Sequence, residues 1–559
     1  MRSPAPRALL AVASVAVALA AADTYVVVLA LTDMMRGVGV GIDDLQRATP
    51  IVSGFLLGYV AVLPLVGRLS DLVDRRRVLL GCLAVFVVGS AVTALAVELD
   101  VLVAGRVVQG VGGGGLVPAT LALVADLWPA GRRGVPLGVV GAVQELGSVL
   151  GPVLGAAVLA VADWRAIFWL GALAGVLLAG GVLLAGGTAG LRRPRAVPTA
   201  LAVLAAAAGW LALAAPERLA TSVTLGVPFV PFGEASSRVA TPIGVLALVL
   251  AVAALTATMH GRWSVLGRAD LPGAALVGGA LGCVVLTFAA AQPETEVVGP
   301  LGYALLPVAA VLAAAYLVHH RRSLAPLVPR GLVRPRLARA LVVSLLTGVA
   351  LVAVVVDVPL LARLVLTTDE TEAAFVLARF LVAVPVGALA GGWLLRVVGP
   401  GVVAAAGLAL AAVGLQFLAA DPTARPLDSW EAAVVLGTVG LGLGLVVAPV
   451  NDAALDESDE RSHGAASALV VVARMVGMVV GLALLTAVGL HRYFEAVAAL
   501  PDPGDLDALR QAAVLQVSSV FRGAQVAAVL GALLALTLGH RGPPADRPAP
   551  ERTAVRGLA

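Results

Sequence analysis

The sequence predicts an all-α polytopic membrane protein. Of its 559 residues, 60% are apolar and only 13% are charged, and the mean hydropathy is +1.00. These values lie outside the range of soluble globular domains. Apolar runs of about 20 residues, the length that a helix needs to cross a bilayer, recur along the whole chain. Short Arg clusters fall on every second connection between these runs, as expected for a chain that crosses the membrane repeatedly.

The first apolar run follows Arg7 and continues through Leu31, which makes it long enough to span the bilayer. We therefore expect an uncleaved first helix, with a secretory signal peptide as the alternative. Five further spans are predicted at residues 48–66, 78–97, 101–127, 135–160 and 167–185. Residues 1–190 thus form a predicted N-terminal six-helix bundle.

Residues 191–337 are predicted to form a linker region with about four transmembrane helices, at 198–215, 242–259, 271–291 and 301–318. Residues 338–540 carry six more apolar runs and form a predicted C-terminal six-helix bundle. A disordered cytoplasmic tail is expected at 541–559. The total is about sixteen spans, with fourteen as the alternative, because a weakly bounded Ala-rich run can instead lie along the membrane interface.

The Arg clusters indicate the orientation of the chain. They occur at 68–77, 132–133, 192–195 and 321–339. By the positive-inside rule this side is cytoplasmic, so we expect a multi-pass protein of the cytoplasmic (inner) membrane with both termini in the cytoplasm. Because these residues are spread over separate connections, the net charge of +4 does not indicate a nucleic-acid-binding surface.

The last two spans are predicted to extend beyond the bilayer. Residues 490–500 continue the preceding helix until the PDPG sequence at 501–504, and apolar residues then repeat at helical spacing into the final span. Two helices of about 35 residues would be ~50 Å long, against a hydrocarbon core of ~30 Å. We expect an external helical hairpin near 490–520, with an ordinary loop and a short surface helix as the alternative.

The helix predicted at 138–160 combines an acidic residue with small residues. It places Glu145 near its middle and has Gly147, Gly151, Pro152 and Gly155 about one turn apart. A carboxylate at this depth costs at least ~2.5 kcal/mol, so it should face a partner or a water-filled cavity. The small residues allow another helix to approach closely, and the proline weakens the helix locally. The pattern is typical of a helix at a moving interface.

Several polar positions are matched between the two six-helix units. Gly67 and Asp71 close the second helix of the first unit, and Gly392 closes the second helix of the last unit. The fifth helix carries Glu145 in one unit and Arg474 in the other. Asp23 and Asp357 both lie well along first helices. Matched positions of this kind indicate two related halves with a transport site between them.

These motifs resemble those of the major facilitator superfamily. The sequence from Gly67 through Asp71 to Arg75 and Arg76 is similar to the cytoplasmic loop signature of that family. The segment from Arg106 to Gln109 resembles its fourth-helix motif. The residues Gly147, Gly151, Pro152 and Gly155 resemble the antiporter motif of its fourteen-helix drug:proton antiporter branch. The resemblance implies the family's fold, two six-helix bundles with inserted linker helices.

The segments at 23–28, 144–152 and 470–475 are similar to mycobacterial exporters of lipids and drugs within that branch. This similarity implies outward movement of triacylglycerides in cooperation with a periplasmic lipoprotein. The expected function is therefore export of a lipid or another hydrophobic substrate, driven by the proton gradient. A multidrug:proton antiporter for amphipathic cations is the alternative, and a non-transporting scaffold for a periplasmic partner is a third.

Specific roles are predicted for the intramembrane charges. Asp23 or Glu145 is the expected proton-titrating carboxylate, Arg474 the counter-charge whose pairing changes with conformation, and Asp357 a further member of this network. The alternative for each is a structural ion pair that fixes helix register. Asp71, with Arg75 and Arg76, is expected to form a cytoplasmic gate. Arg106 and Gln109 are equally consistent with a structural role, as donors to backbone carbonyls.

Other classes of function find no support in the sequence. The chain has no lysine, so it lacks the phosphate-binding residue of an ATP-binding loop. Its His319–His320 pair lacks the spaced further ligands of a zinc site, and no nucleophile and base occur at familiar spacing. We therefore expect no enzymatic activity, metal or cofactor.

Overall fold

The computed structural model describes residues 6–41, 45–129, 131–186, 195–222, 226–232, 237–260, 263–289, 302–367, 370–420, 427–459, 461–502 and 505–539. All regular secondary structure in these ranges is helical. The predicted tail at 541–559 lies outside the described residues.

The first six helices are α1 (Pro6–Gly37), α2 (Leu45–Leu72), α3 (Arg75–Leu95), α4 (Leu99–Leu127), α5 (Gly134–Leu159) and α6 (Arg165–Gly186). They are followed by α7 (Ala196–Ala214), the short α8 (Glu217–Ala220), α9 (Pro242–Met259), the short α10 (Trp263–Arg268), α11 (Leu271–Ala289) and α12 (Gly302–Arg322). The last six are α13 (Pro335–Val365), α14 (Glu370–Leu394), α15 (Pro400–Ala420), α16 (Trp430–Glu457), α17 (His463–Ala498) and α18 (Leu506–Ala535).

Within the described ranges, 15 helices are long and apolar enough to cross a membrane, and a shorter apolar helix covers Leu271–Thr287. This count agrees with the prediction of about sixteen spans, and the all-helical fold class is confirmed. We call α1–α6 the N-terminal unit and α13–α18 the C-terminal unit. The end of the molecule that carries the connections α2–α3, α4–α5, α12–α13 and α16–α17 is called the Arg-rich end.

Each unit has its own apolar core. In the C-terminal unit the core includes Phe380, Leu408 and Phe521, which are fully buried. The N-terminal core around Phe55 and Leu83 continues into the other unit, because Leu395, Ala448, Leu455 and Val471 belong to the same cluster. Those four residues lie toward the Arg-rich end, so the two units pack together there.

Glycines bring equivalent helices together in the two units. In α5, a Cβ on Gly147 would overlap the carbonyl oxygen of Ala18, and one on Gly151 would overlap that of Ala22, so α5 packs backbone to backbone on α1. In α17, Gly477 meets Leu345 and Gly481 meets Val349 of α13 in the same way. This repeated contact indicates that the units are built on one plan, as inverted or parallel repeats of transporters are.

The linker helices form two hairpins, α7 with α9 and α11 with α12. Helix α11 packs on α2 of the N-terminal unit, where a Cβ on Gly282 would lie 2.6 Å from Leu57 Cδ1. The α7–α9 hairpin is more peripheral, since only 17% and 11% of the residues in the apolar windows of these helices are buried. Its far loop is attached to the N-terminal unit because the Arg238 N–H donates to Glu98 Oε1 at 2.7 Å.

Helices α17 and α18 are longer than a bilayer requires. They contain 36 and 30 residues, which correspond to about 54 and 45 Å. Near their connection, in the part here called the extension, the two helices stay packed together, with Gly489 against Val520 and Gln516. Helix α13 reaches the same level, because Arg510 Nε donates to the carbonyl oxygen of Leu364. Charged residues such as His491, Arg492 and Glu495 are exposed on this extension, where they pair with one another.

The contact between α1 and α5 gives a testable prediction. Gly151→Ala should lower the unfolding temperature of the detergent-solubilised protein, because the added methyl group forces the two backbones apart at a cost of about 1–3 kcal/mol. Gly437→Ala is the matched control, since a Cβ there meets nothing within 4 Å and alanine favours the helix. Equal unfolding temperatures for the two variants would contradict the close packing of α5 on α1.

Candidate functional site

An ion pair joins the two units near the middle of α5. Arg474 Nη1 of α17 donates to Glu145 Oε1 of α5 at 3.2 Å. Their side chains are 13% and 12% exposed, so both are largely buried but still open to a cavity. The sequence predicted both residues as members of a central network, and the structure brings these two together.

A cavity lies between the units, on the Arg-rich side of this pair. Apolar side chains from both units form most of its wall, and its polar lining residues are Gln144, Ser344, Thr347, Asn451 and Arg474. Tyr25 of α1 and Tyr59 of α2 lie within electrostatic range of both Glu145 and Arg474. The ion pair therefore lies at one limit of an interface cavity that is apolar apart from a few hydrogen-bonding groups.

A second charged cluster lies inside the N-terminal unit. Arg106 Nη1 donates to Asp23 Oδ2 at 2.5 Å and to Gln109 Oε1 at 2.7 Å. Gln109 Nε2 in turn donates to Asp23 Oδ1 at 2.8 Å and to Ser90 Oγ at 2.9 Å. The guanidinium is fully buried and lies 4.5 Å from the centre of the Phe55 ring. The cationic partner of Asp23 in this structure is thus Arg106, and Arg474 pairs with Glu145 instead.

The first contact between the units at the Arg-rich end is made by Asp71. Its Oδ1 accepts from the Gly464 N–H at 2.7 Å and its Oδ2 from the Ala465 N–H at 3.0 Å, both in the first turn of α17. The N–H groups of a first turn lack partners within the helix and carry partial positive charge, so a carboxylate suits this position. Gly67 allows the approach, because a Cβ there would lie 2.7 Å from the Gly464 carbonyl oxygen.

The two arginines of the loop signature hold Asp71 and its surroundings in place. Arg75 lies 3.9 Å from Asp71 and also forms an ion pair with Asp126 at the end of α4. Arg76 donates to the carbonyl oxygen of Gly186 at the end of α6. Both therefore connect α3 to other helices of the N-terminal unit, and Asp71 makes the contact with α17.

An equivalent contact joins α5 to α14. A Cβ on Gly134 would lie 2.8 Å from the Gly392 carbonyl oxygen, and one on Gly392 would lie 2.5 Å from that of Gly134. Beside it, Arg133 Nε donates to Asp452 Oδ1 at 3.0 Å and Arg133 Nη2 to Asp456 Oδ1 at 3.1 Å. The sequence interpretation used Arg133 only as an orientation signal, and nothing in its spacing indicated a partner more than 300 residues away.

Asp357 stands apart from the other charged groups. It is only 5% exposed, and among the described residues no hydrogen bond or ion pair to it is present. The glycine contacts make Leu345 of α13 equivalent to Ala18 of α1, and Val349 equivalent to Ala22. By the same register Asp357 of α13 is equivalent to Ala30 of α1. The expected match between Asp23 and Asp357 is therefore wrong by about two helical turns, because position along a predicted span does not determine register.

The glycines of the antiporter-like motif pack within the N-terminal unit. Gly147, Gly151 and Gly155 face α1, and a Cβ on Gly155 would lie 2.8 Å from Val26 Cγ2. Pro152 lies inside α5, where it removes one backbone hydrogen bond. These residues set how α5 packs on α1 and therefore where α5 carries Glu145.

The arrangement is closed at the Arg-rich end and held by an ion pair in the middle. Beyond that pair, α5 exposes Leu146, Leu150 and Leu154, which are 43%, 41% and 54% exposed. No group of three or more potential metal ligands occurs among the residues that the structure describes. The bond between Glu145 and Arg474 can break or form as the units separate or approach.

Comparisons with known proteins agree with this geometry. The family model for the Major Facilitator Superfamily matches residues 13–482. The triacylglyceride transporter of Mycolicibacterium hassiacum is 39% identical over 560 residues, covering 94% of this chain and 90% of the relative. The triacylglyceride transporter of Mycobacterium tuberculosis is 35% identical over 570 residues, covering 97% and 96%.

Solved structures show the same fold at lower identity. The human organic anion transporter MFSD10 gives a TM-score of 0.57 at 16% identity, covering 95% of this chain and all of that one, 100%. The proton:xylose symporter XylE gives 0.56 at 12% identity, with 96% of each chain covered. The resemblance seen in the sequence motifs is therefore confirmed, and the chain belongs to the major facilitator superfamily of membrane transporters.

Proposed function

We propose that this transporter exports a triacylglyceride-like lipid across the cytoplasmic membrane, driven by the proton gradient, by alternating access of its two units. The observation that carries the proposal is the ion pair between Glu145 and Arg474, because each partner belongs to a different unit. A bond of this kind cannot persist once the units separate around it. The pair therefore couples the charge on Glu145 to the conformation of the protein.

Protonation of Glu145 supplies a means to break the pair. Leaving an isolated charge in a low-dielectric site is expensive, and removing one partner of a buried pair typically costs about 3–5 kcal/mol. A proton on Glu145 removes the carboxylate charge, so no anion is left unpaired when the acid leaves Arg474. The guanidinium of Arg474 keeps its charge and must then be solvated in the interface cavity that it lines. A proton arriving from the outer side would therefore release the pair, and its loss to the cytoplasm would allow the pair to form again.

The Arg-rich end is proposed to be the cytoplasmic gate. Asp71 accepts hydrogen bonds from the first turn of α17, and Arg133 donates to Asp452 near the end of α16. Both sets of bonds must break when the cytoplasmic side opens. The cluster of Asp23, Arg106 and Gln109 lies within one unit and can move as a rigid part of it. Asp357 is a second acid whose charge would be costly where it lies, and we assign it to the same proton-dependent network.

The lipid assignment rests on the cavity lining and on the relatives. The interface cavity has a volume of about 40 Å³ in this conformation, which is too small for a triacylglyceride. Its wall consists mainly of Val and Leu side chains, which an apolar substrate would contact once the units separate. The similar mycobacterial proteins are named triacylglyceride transporters. In this conformation Glu145 is already paired with an arginine, which leaves it less suited to bind a cationic drug. A multidrug antiporter remains the competing function that the experiments must separate.

Removing the charge of Glu145 should abolish transport. Glu145→Gln is expected to reduce export of a fluorescent triacylglyceride analogue from proteoliposomes with an imposed pH gradient to the rate of protein-free vesicles. Asp33→Asn is the matched control, because its carboxylate is partly exposed and pairs with Arg36 of the same helix. Exchange of the charges, Glu145→Arg with Arg474→Glu, should recover part of the rate.

Two results would overturn this assignment. Wild-type lipid transport by Glu145→Gln, with normal membrane insertion, would show that the acid is not required. Gradient-driven transport of a cationic dye but not of the lipid analogue by the wild type would favour the multidrug function.

Neutralising Asp71 should open the cytoplasmic gate. The reporter is Val471→Cys in the cavity wall, in a background with Cys82→Ser and Cys283→Ser. A membrane-impermeant maleimide applied at the cytoplasmic face should react with this cysteine severalfold faster when Asp71→Asn is added. The reason is that the charged hydrogen bonds from α17 to Asp71 are lost. Asp74→Asn is the control, since Asp74 caps α3 in the same loop and asparagine also caps well. Equal rates in the two variants would exclude Asp71 from the gate.

We also propose that a periplasmic lipoprotein accepts the lipid at the α17–α18 hairpin, which lies at the opposite end from the gate. Deleting residues 501–507 at its tip should reduce transfer of the lipid analogue to a soluble lipid-binding lipoprotein severalfold, while the unfolding temperature stays unchanged. Most of this segment can be removed without cutting into a helix, because α17 ends at Ala498 and α18 begins at Leu506. Unchanged transfer would remove the hairpin from the mechanism.

A further inference from the structure

A groove lies between α7 and α9 at the Arg-rich end, away from the transport pathway. Its lining comes from the start of α7 and the end of α9, and consists of Arg195, Ala196, Val197, Pro198, Thr256, Ala257 and His260. Few residues of these two helices are buried, 17% and 11% of their apolar windows. In the membrane the groove therefore faces lipid.

The depth of the groove follows from the lengths of the helices. α7 has 19 residues and α9 has 18, which gives about 27–29 Å for each. This length matches the hydrocarbon core of about 30 Å, so the helix ends lie at the level of the lipid headgroups. Arg195 immediately precedes α7 and His260 immediately follows α9. The mouth of the groove is thus placed where a phosphate group would be.

The mouth of the groove carries the positive charge of Arg195. Arg195 Nη1 donates to the carbonyl oxygen of His260 at 3.0 Å and so bridges the two helices. Within the described ranges its guanidinium forms no ion pair, and the bond to His260 uses one of its five N–H donors. In the sequence, Arg192 and Arg193 precede Arg195 within three positions and Arg262 follows His260 by two, and no Asp or Glu occurs in 164–216 or 235–269.

Above the mouth the groove becomes apolar. Val197, Pro198 and Ala257 supply side chains without polar atoms, and the rest of both helices is hydrophobic toward lipid. This arrangement is complementary to a phospholipid. The phosphate would meet the cationic mouth, and an acyl chain would lie along the apolar wall above it. Basic pockets between transmembrane helices on the cytoplasmic side are known to bind anionic headgroups.

We propose that this groove binds an anionic phospholipid of the cytoplasmic leaflet, with its phosphate at Arg195 and an acyl chain along Val197 and Ala257. The bound lipid connects α7 to α9 and fixes the depth of a hairpin that few protein contacts hold. This site is separate from the cavity at Glu145 and Arg474, and it does not depend on what the protein transports.

Native mass spectrometry of the detergent-solubilised full-length protein tests the proposal. Phosphatidylglycerol is titrated into the wild type and into Arg195→Gln. The affinity of the tightest-binding lipid should be about fivefold lower in the variant. Ala257→Trp should weaken it as well, because the indole fills the apolar wall without changing charge. Arg322→Gln is the matched control, since it removes the same charge from the end of the other linker hairpin and should leave the affinity unchanged.

Two further probes identify the ligand. Phosphatidylcholine should bind more weakly than phosphatidylglycerol, and inorganic phosphate should not compete, because the site requires both an anionic headgroup and a chain. Unaltered phosphatidylglycerol binding by Arg195→Gln and Ala257→Trp would overturn the proposal, as would equal loss in Arg322→Gln. Competition by inorganic phosphate alone would reduce the site to a simple anion site and would also overturn it.

Discussion

The pairing of Glu145 with Arg474 is the interaction on which the rest of the arrangement depends. Each charge alone would be costly in the membrane interior, so each helix tolerates its charge only while the other unit supplies the partner. The glycine contacts of α5 with α1 and of α17 with α13 hold the two helices at the required depth. Close packing of helices inside each unit therefore positions the two charges that bond between the units.

The cluster at Asp23 has the same chemistry but a different consequence. Its aspartate, arginine and glutamine lie on α1 and α4, and Ser90 of α3 completes the network. Because every member belongs to the N-terminal unit, motion of one unit against the other leaves these bonds intact. A buried ion pair within a rigid body fixes that body, whereas a pair across a boundary responds to the separation of the two sides.

The sequence was sufficient for the architecture but not for the partners. Apolar runs and Arg clusters depend on local composition, so the spans and the Arg-rich connections could be predicted. The approach of Gly67 and Asp71 to α17, or of Arg133 to Asp452, depends on contacts between residues more than 300 positions apart. Asp357 illustrates the remaining limit. The position of Asp357 along its helix could be predicted from the sequence. The rotation and register of that helix could not, because they depend on how glycines fit against neighbouring backbones.

The length of α17 and α18 has a mechanical consequence. Both helices are continuous from inside the C-terminal unit to the far tip, and no described break separates the embedded part from the extension. Under the proposed alternating access, the extension would turn with its unit as a stiff lever, and a small tilt of the unit would become a wider displacement at the distal end. A partner at that end would then respond to the transport cycle through this displacement, without any signal passing through the membrane interior.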